Sequence, residues 1–176
     1  MFELLVRINC FSRYNFLKKL ASNFLERLYC CEINCIEIDK SILFAHHARG
    51  CTILAAKICE NVVILQNVTI GTNQKYNKLL RTWENIGNPI IGRNVVIADG
   101  AKILGPITIG QNSFVAAGSI ITKSIPENSI AYGINKFKEK ENNFDYVYNK
   151  QMIDINIIIK NNKERIDIYK RENGEL

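Results

Sequence analysis

Residues 91–121 read IGRNVVIADGAKILGPITIGQNSFVAAGSII, and a branched aliphatic residue recurs at every sixth position of this stretch. The same spacing occurs upstream, and the full series is Ile58, Ile64, Ile70, Ile91, Ile97, Ile103, Ile109, Val115 and Ile121. A period of six matches neither a helix nor an alternating strand, and it is typical of a solenoid whose short sides each use one hexad. We therefore predict short parallel strands with these side chains stacked in the interior.

A second position of the hexad is also restricted. The residue four places after the interior aliphatic is small or aliphatic in most hexads, as in Val62, Val68, Val95, Ala101, Ile107, Ser113 and Ser119. We interpret it as packing at a corner of the solenoid. Gly71, Gly92 and Gly110 directly follow interior aliphatics, and we expect them at corners that need wide dihedral freedom.

Length and composition restrict the class of protein. At 176 residues the chain fits one compact domain with short appendages, and no apolar run approaches the roughly 20 residues that cross a bilayer. The first nine residues lack the pattern of a signal peptide, so we expect a cytoplasmic protein without membrane insertion. The net charge of +6 is scattered, which disfavours a nucleic-acid-binding module and suits an anionic small ligand.

The chain has six cysteines, Cys10, Cys30, Cys31, Cys35, Cys51 and Cys59. None shows the paired spacing of a zinc site, so we interpret them as small buried apolar residues in a reducing compartment and expect no metal.

We predict a mainly β fold, a parallel β-helix in residues 33–136, with an extruded loop at 72–89 that is rich in polar residues. Residues 1–32 form an N-terminal cap, in which residues 14–29 have the spacing of one amphipathic helix. Its apolar positions are Phe16, Leu17, Leu20, Phe24, Leu25 and Leu28. Residues 137–176 form a polar, charged tail that contains either a short element near residues 152–159 or partly disordered chain.

The only two histidines, His46 and His47, lie where the hexad phase slips between Phe44 and Ile58. An imidazole titrates near neutral pH, so this position favours a general base. Two histidines cannot supply the three ligands of a zinc-dependent hydratase on such a solenoid.

Four stretches resemble the hexapeptide-repeat acyltransferases: residues 56–71, 88–95, 98–105 and 116–119. Within that family the chain is most similar to the serine acetyltransferase group and its short relatives in surface-polysaccharide gene clusters. The resemblance implies a left-handed β-helix, a homotrimer, acetyl-CoA in the groove between neighbouring solenoids, and a histidine that deprotonates the acceptor hydroxyl.

The resemblance also implies site residues. Counting from Ile38 and back from Ile58 places the family histidine on His46, whereas the local string His-Ala-x-Gly favours His47; we assign His46. The matching CoA-binding positions are Asp99, Gly100, Ala101, Ala117, Gly118 and Lys123. Backbone amides at these corners would hold the pantetheine and the thioester oxyanion, although the glycines also fit plain turns. Glu32 and Asp39 are the nearest carboxylates that could orient the histidine.

The chain differs from the serine acetyltransferases in three features. The segment before Ile33 is short, Asn88 stands where their loop usually carries a second histidine, and the chain ends in Leu176 rather than isoleucine. Two acceptors therefore remain open, L-serine and a sugar hydroxyl of a surface-polysaccharide precursor. A non-catalytic scaffold or CoA-binding solenoid is the alternative outside enzymes.

Overall fold

The computed structural model describes residues 1–84, 86–141, 143 and 154–173. The chain divides into two units, Met1–Tyr146 and Val147–Leu176. The first unit opens with two helices, α1 (Phe2–Phe11) and α2 (Asn15–Tyr29). Its strands are β1 (Glu32–Ile38), β2 (Leu43–Phe44), β3 (Thr52–Ile58), β4 (Val63–Ile64), β5 (Thr69–Gly71), β6 (Lys75–Asn77), β7 (Thr82–Glu84), β8 (Ile90–Ile91), β9 (Val96–Ile97), β10 (Lys102–Leu104), β11 (Thr108–Ile109), β12 (Phe114–Val115), β13 (Ile120–Ile121), β14 (Ser129–Tyr132) and β15 (Lys136–Glu139). The second unit holds α3 (Ile155–Glu172).

Apart from β6, β7 and β15, which pair antiparallel, the strands stack in parallel into a three-sided prism whose interior holds three columns of side chains. The first column is Ile33, Ile53, Ile70, Ile103 and Ile121. The second is Ile38, Ile58, Ile91, Ile109 and Ile125. The third is Phe44, Ile64, Ile97, Val115 and Ala131. Five members per column give five coils in the described residues, and the predicted parallel β-helix is confirmed.

One corner of the prism is held by a ladder of asparagine side chains, here called the asparagine edge: Asn61, Asn94, Asn112 and Asn128. All four have left-handed backbone, with φ between 53° and 56°. The Nδ2 of Asn94 donates to the Oδ1 of Asn112 over 2.8 Å, and similar bonds join the other neighbours. Asparagine adopts this conformation more readily than other non-glycine residues, so the ladder links the coils at little backbone strain.

A second corner, the glycine edge, carries Gly50, Asn67, Gly100 and Gly118 in successive coils, all with positive φ. Helix α2 ends on this edge, because Cys30 (φ 52°) accepts a hydrogen bond from the N–H of Gly50 over 3.1 Å. The third corner, the hairpin edge, lies between Gly71 and Ile90. The predicted extruded loop leaves here and forms an antiparallel hairpin, β6–β7, in which the Tyr76 and Trp83 rings pack edge to face.

The glycines that follow the interior aliphatics do not adopt the conformation we expected. Gly71, Gly92 and Gly110 all have ordinary φ values. Gly92 and Gly110 are required for another reason, since a Cβ on either would meet the backbone of the next coil; for Gly92 it would lie 2.7 Å from the N of Gln111. Gly71 has room for a Cβ.

The N-terminal segment differs from the prediction in two ways. It contains two helices rather than one, because residues 2–11 form α1, which packs against α2 and β1. Among the six apolar positions predicted for the second helix, only Leu25 is buried; the other five are exposed. Phe2 and Val6 of α1 and Leu25 of α2 belong to the same core as the coil interior.

The C-terminal tail contains a longer helix than the short element that we predicted. Helix α3 spans Ile155–Glu172, longer than the short element expected near residues 152–159, of which 152 and 153 lie outside the described residues. No described residue of α3 is buried. Within the described part of the chain, every helix is too short or too polar to cross a membrane.

Candidate active site

The histidine pair lies on an insertion at the glycine edge. The step from the third column to the first covers nine positions from Phe44 to Ile53, but six from Ile64 to Ile70 and in the later coils. The first coil thus has three extra residues. His46, His47 and Ala48 are consecutive left-handed residues, with φ of 52°, 58° and 51°. Such a run is rare for non-glycine residues and often occurs at functional sites, where strain is retained by the surrounding fold.

The two imidazoles have different surroundings. The His47 ring lies 5.3 Å from the Phe2 ring and 5.6 Å from the Tyr29 ring, between centroids, so it packs against the ends of both N-terminal helices. His46 is exposed and has neither a ring contact nor a hydrogen bond within the described residues. Both side chains are exposed, but only His46 makes no ring contact among the described residues, which favours it as the imidazole that faces a ligand.

The predicted CoA-binding residues Asp99, Gly100 and Ala101 lie in the third coil of the same edge, and Ala117 and Gly118 lie in the fourth. The structure therefore brings both segments into line with the histidine pair. At the usual strand spacing of about 4.8 Å, they lie roughly 10 and 14 Å from the first coil along the edge.

Hydrogen bonding divides the backbone amides of this edge into two sets. Each left-handed residue donates to the preceding coil, as Gly100 does to the Gln66 carbonyl (3.2 Å) and Gly118 to the Asp99 carbonyl (2.8 Å). The N–H of Ala101 is also bonded, to Ala98. The N–H groups of Gln66, Asp99 and Ala117 have no partner among the described residues. In the second, third and fourth coils, the residue immediately before the left-handed residue thus has a backbone N–H with no partner among the described residues.

Gln66 is a candidate that the sequence analysis missed. Its Oε1 is buried and has no hydrogen-bond partner within the described residues. A buried unpaired acceptor costs about 1–3 kcal/mol, so a polar ligand that donates to it would recover part of that cost. Gln66 lies in the second coil, between the histidine coil and Asp99, whose carboxylate accepts from Asn67 over 3.1 Å.

Lys123 and Asn88 lie elsewhere. Lys123 is exposed between Ile121 and Ile125, on the hairpin edge, so one chain does not bring it to the other predicted CoA-binding residues. A cation that does lie on the glycine edge is Lys102, whose Nζ donates to Thr69 Oγ1 over 2.9 Å. Asn88 lines a groove of about 580 Å³ between the N-terminal helices and β1.

The two carboxylates proposed to orient the histidine are bonded to other groups. Asp39 lies at the asparagine edge and accepts hydrogen bonds from the N–H and hydroxyl of Ser41, which hold the pKa of its carboxyl below the usual value. Glu32 accepts from the side chain of Asn34 over 2.9 Å. Among the described residues, neither carboxylate bonds to an imidazole.

Five of the six cysteines are buried or partly buried, whereas Cys30 is exposed, so the prediction of buried cysteines is wrong at that position. Burial raises the pKa of Cys10 and Cys31 to about 12 and that of Cys35 to about 11, so these groups remain protonated at neutral pH. A thiolate nucleophile at these positions is therefore disfavoured. The described residues include no cluster of three metal-ligating side chains.

Comparison with known proteins gives the class of the fold. Residues 88–123 match the family model described as bacterial transferase hexapeptide (six repeats). This part of the chain therefore contains hexapeptide repeats, and the predicted resemblance to the acyltransferases of this type is confirmed.

Curated proteins similar to this chain include serine acetyltransferases. The enzyme of Staphylococcus xylosus is 40% identical over 94 residues, which cover 52% of this chain and 40% of that protein. The serine acetyltransferase of Mycobacterium tuberculosis is 29% identical over 119 residues, covering 67% of this chain and 49% of the relative. This chain therefore spans about half or less of these relatives' length.

Solved structures similar to this chain also include serine acetyltransferases. Brucella abortus serine acetyltransferase in complex with coenzyme A matches with a TM-score of 0.52 and 27% identity, over 72% of this chain and 50% of that one. The Neisseria gonorrhoeae serine acetyltransferase in complex with serine matches with a TM-score of 0.56 and 25% identity, over the same shares. These neighbours are left-handed β-helix proteins, and the predicted fold class is confirmed.

Proposed function

We propose that this protein is an acetyl-CoA-dependent O-acetyltransferase of the serine acetyltransferase type, with His46 as general base. The observation that carries the proposal is the three-residue insertion, which sets an exposed imidazole at the first coil of an edge. In the later coils of that edge the backbone N–H groups of Gln66, Asp99 and Ala117 have no partner among the described residues. A scaffold solenoid does not require such an insertion.

The proposed reaction is a direct transfer in one ternary complex. His46 takes the proton of the acceptor hydroxyl as its oxygen attacks the thioester carbonyl carbon. The carbon–sulfur bond then breaks, and the imidazolium returns the proton to the CoA sulfur, which leaves as a thiol. The products are the O-acetylated acceptor and CoA.

The free amides supply two roles in this proposal. The N–H of Gln66 is one coil from the histidines, about 5 Å by the usual strand spacing, which places it within reach of a thioester attacked there. A backbone N–H aimed at the developing oxyanion stabilises the transition state. The N–H groups of Asp99 and Ala117 would bind carbonyl oxygens of an extended pantetheine arm along the edge.

The acceptor that we propose first is L-serine, because the named relatives are serine acetyltransferases and one solved neighbour is in complex with serine. The test supplies acetyl-CoA with L-serine or with hydroxyl-bearing sugars, follows release of the CoA thiol, and identifies the O-acetyl product by mass spectrometry. Serine-dependent release supports the proposal, and sugar-dependent release moves the acceptor to the second alternative. Binding of acetyl-CoA without release for any acceptor would favour the non-catalytic solenoid.

We also propose that the protein is a homotrimer with acetyl-CoA between neighbouring chains. The hairpin β6–β7 leaves the prism at a different edge from the histidines, so a neighbouring chain would be needed to bring a hairpin to the glycine edge. Sedimentation equilibrium should give three times the chain mass of 20.1 kDa. A monomer at micromolar concentration that is fully active would contradict the shared site.

Gln66→Met tests whether the buried Oε1 serves a ligand. Methionine is similar in length and has no strong acceptor, so loss of an unpaired buried oxygen should leave stability unchanged or raise it by about 1 kcal/mol. If a substrate donates to that oxygen, the KM for acetyl-CoA or for the acceptor should rise about three- to tenfold, the size of one hydrogen bond. Thermal unfolding and steady-state kinetics check both results. Unchanged kinetics in a stabilised variant would assign Gln66 to the fold alone.

A further inference from the structure

Helix α2 turns most of its apolar surface away from the protein. Its buried residues are Ala21 and Leu25. The exposed large apolar residues of the helix are Phe16, Leu17, Leu20, Phe24 and Leu28. Four of them are spaced by four residues, which places them along one face, and Phe16 keeps 75% of its surface exposed. We call these five residues the outer stripe.

The charges beside the outer stripe are positive. Arg27 lies between Phe24 and Leu28 on the helix, and Arg13 precedes the first turn, where its guanidinium lies 4.8 Å from the centroid of the Tyr14 ring. The only acidic residue in α2 is Glu26, which accepts a hydrogen bond from Ser22 on another side of the helix. The stripe is therefore apolar with arginine at both ends and no acid among its members.

This charge pattern discriminates between two candidates for what covers the outer stripe, a second copy of the chain and a lipid surface. If the outer stripes of two copies packed together, Arg13 and Arg27 would face arginines of the other copy in either direction, and α2 offers no carboxylate on that face to compensate. An anionic lipid surface has the complementary charge. A helix with Phe and Leu on one face and arginines beside them is typical of one that lies in the plane of a membrane interface.

We propose that the outer stripe binds the surface of an anionic lipid bilayer, with Phe16, Leu20 and Phe24 entering the headgroup boundary. Arg13 and Arg27 then contact lipid phosphates, and Tyr14, which is amphipathic and half exposed, lies at the level of the headgroups. The binding is peripheral, because α2 has 15 residues and does not span a bilayer. This inference does not depend on the acetyl-transfer reaction.

The test is flotation of the full chain with vesicles. The unmodified protein should float with phosphatidylcholine vesicles that contain phosphatidylglycerol, bind pure phosphatidylcholine vesicles much less, and dissociate partly as salt is raised. The double variant Phe16→Ser with Phe24→Ser should lose roughly tenfold or more of its partitioning, since the apolar area drives insertion. Arg13→Gln with Arg27→Gln should remove most of the preference for the anionic vesicles.

Leu79→Ser is the matched control, because Leu79 is 90% exposed on the β6–β7 hairpin and lies outside the outer stripe. It should float like the unmodified protein. Unchanged flotation of the double phenylalanine variant, or absence of flotation of the unmodified protein, overturns the proposal. If the unmodified protein does not float and the double variant sediments as a smaller oligomer, the stripe is an interface between copies of the chain.

Discussion

Replacing His46 by asparagine should lower kcat about a hundredfold or more and leave the KM for acetyl-CoA nearly unchanged. A general base contributes about 10²- to 10⁴-fold to rate, and its loss falls on the chemical step rather than on donor binding. Asparagine is the appropriate replacement because His46 has φ of 52°, a conformation that asparagine adopts at lower cost than alanine. Initial rates of thiol release over a range of acetyl-CoA concentrations give both constants.

His47→Asn is the control for this prediction. Its ring packs against Phe2 and Tyr29, so its loss should cost about 0.5–1.5 kcal/mol of stability and change kcat much less than the His46 variant does. If the His47 variant is the inactive one, the register across residues 45–50 is displaced by one residue and the histidine mechanism still holds. Full turnover of both variants would exclude a histidine base.

The fold could be predicted because the same packing requirement recurs in each coil of the interior. Most coils place one branched aliphatic residue on each of three sides, and only Phe44 and Ala131 depart from this in the third column. The pattern therefore survives in the sequence even where residues 72–89 interrupt it. Helix α1 had no such pattern. One of its three buried positions is Asn9, whose amide donates to the Ile33 carbonyl over 2.7 Å, so the buried face does not read as apolar.

The corners show a signal that the sequence analysis missed. The residue three places after an interior aliphatic is Asn or Gly in many hexads: Asn61, Asn67, Asn94, Gly100, Asn112 and Gly118. These residues carry the left-handed conformation, whereas we had expected the need for wide dihedral freedom at the glycines directly after the aliphatics. Asparagine and glycine share this position because both tolerate positive φ. A search for glycine alone therefore finds only some of the corners.

The candidate site could be predicted only in outline. The phase slip at Phe44 located the histidine insertion, and the resemblance to the acyltransferases pointed to Asp99 and Ala117, which lie in later coils of the same edge. The sequence did not separate His46 from His47, because the contacts of His47 come from α1 and from the end of α2. It also did not show which amides are free, since that depends on hydrogen bonds between coils.

Gly110→Ala should be the most destabilising single-methyl change among the glycines of the repeat. A Cβ at this position would lie 2.5 Å from the carbonyl carbon of Pro126 and 2.6 Å from the Cα of Glu127, both backbone atoms of the next coil. Backbone held by ladder hydrogen bonds on both sides cannot move aside as a flexible side chain does. We therefore expect a loss of about 3 kcal/mol or more in the free energy of unfolding, at or above the upper end for overpacking. Urea unfolding at one fixed protein concentration measures it.

Gly71→Ala is the matched control, because it adds the same methyl group after an interior isoleucine of another coil. Its Cβ would meet only Leu104 Cδ2, at 4.0 Å, and its φ lies outside the left-handed region. Alanine there should raise stability by about 0.4–1 kcal/mol, since it reduces the freedom of the unfolded chain without straining the folded one. The two substitutions should thus change the free energy of unfolding in opposite directions. Equal losses would mean that glycine at this position serves backbone conformation, as the sequence had led us to expect, rather than the approach of one coil to the next.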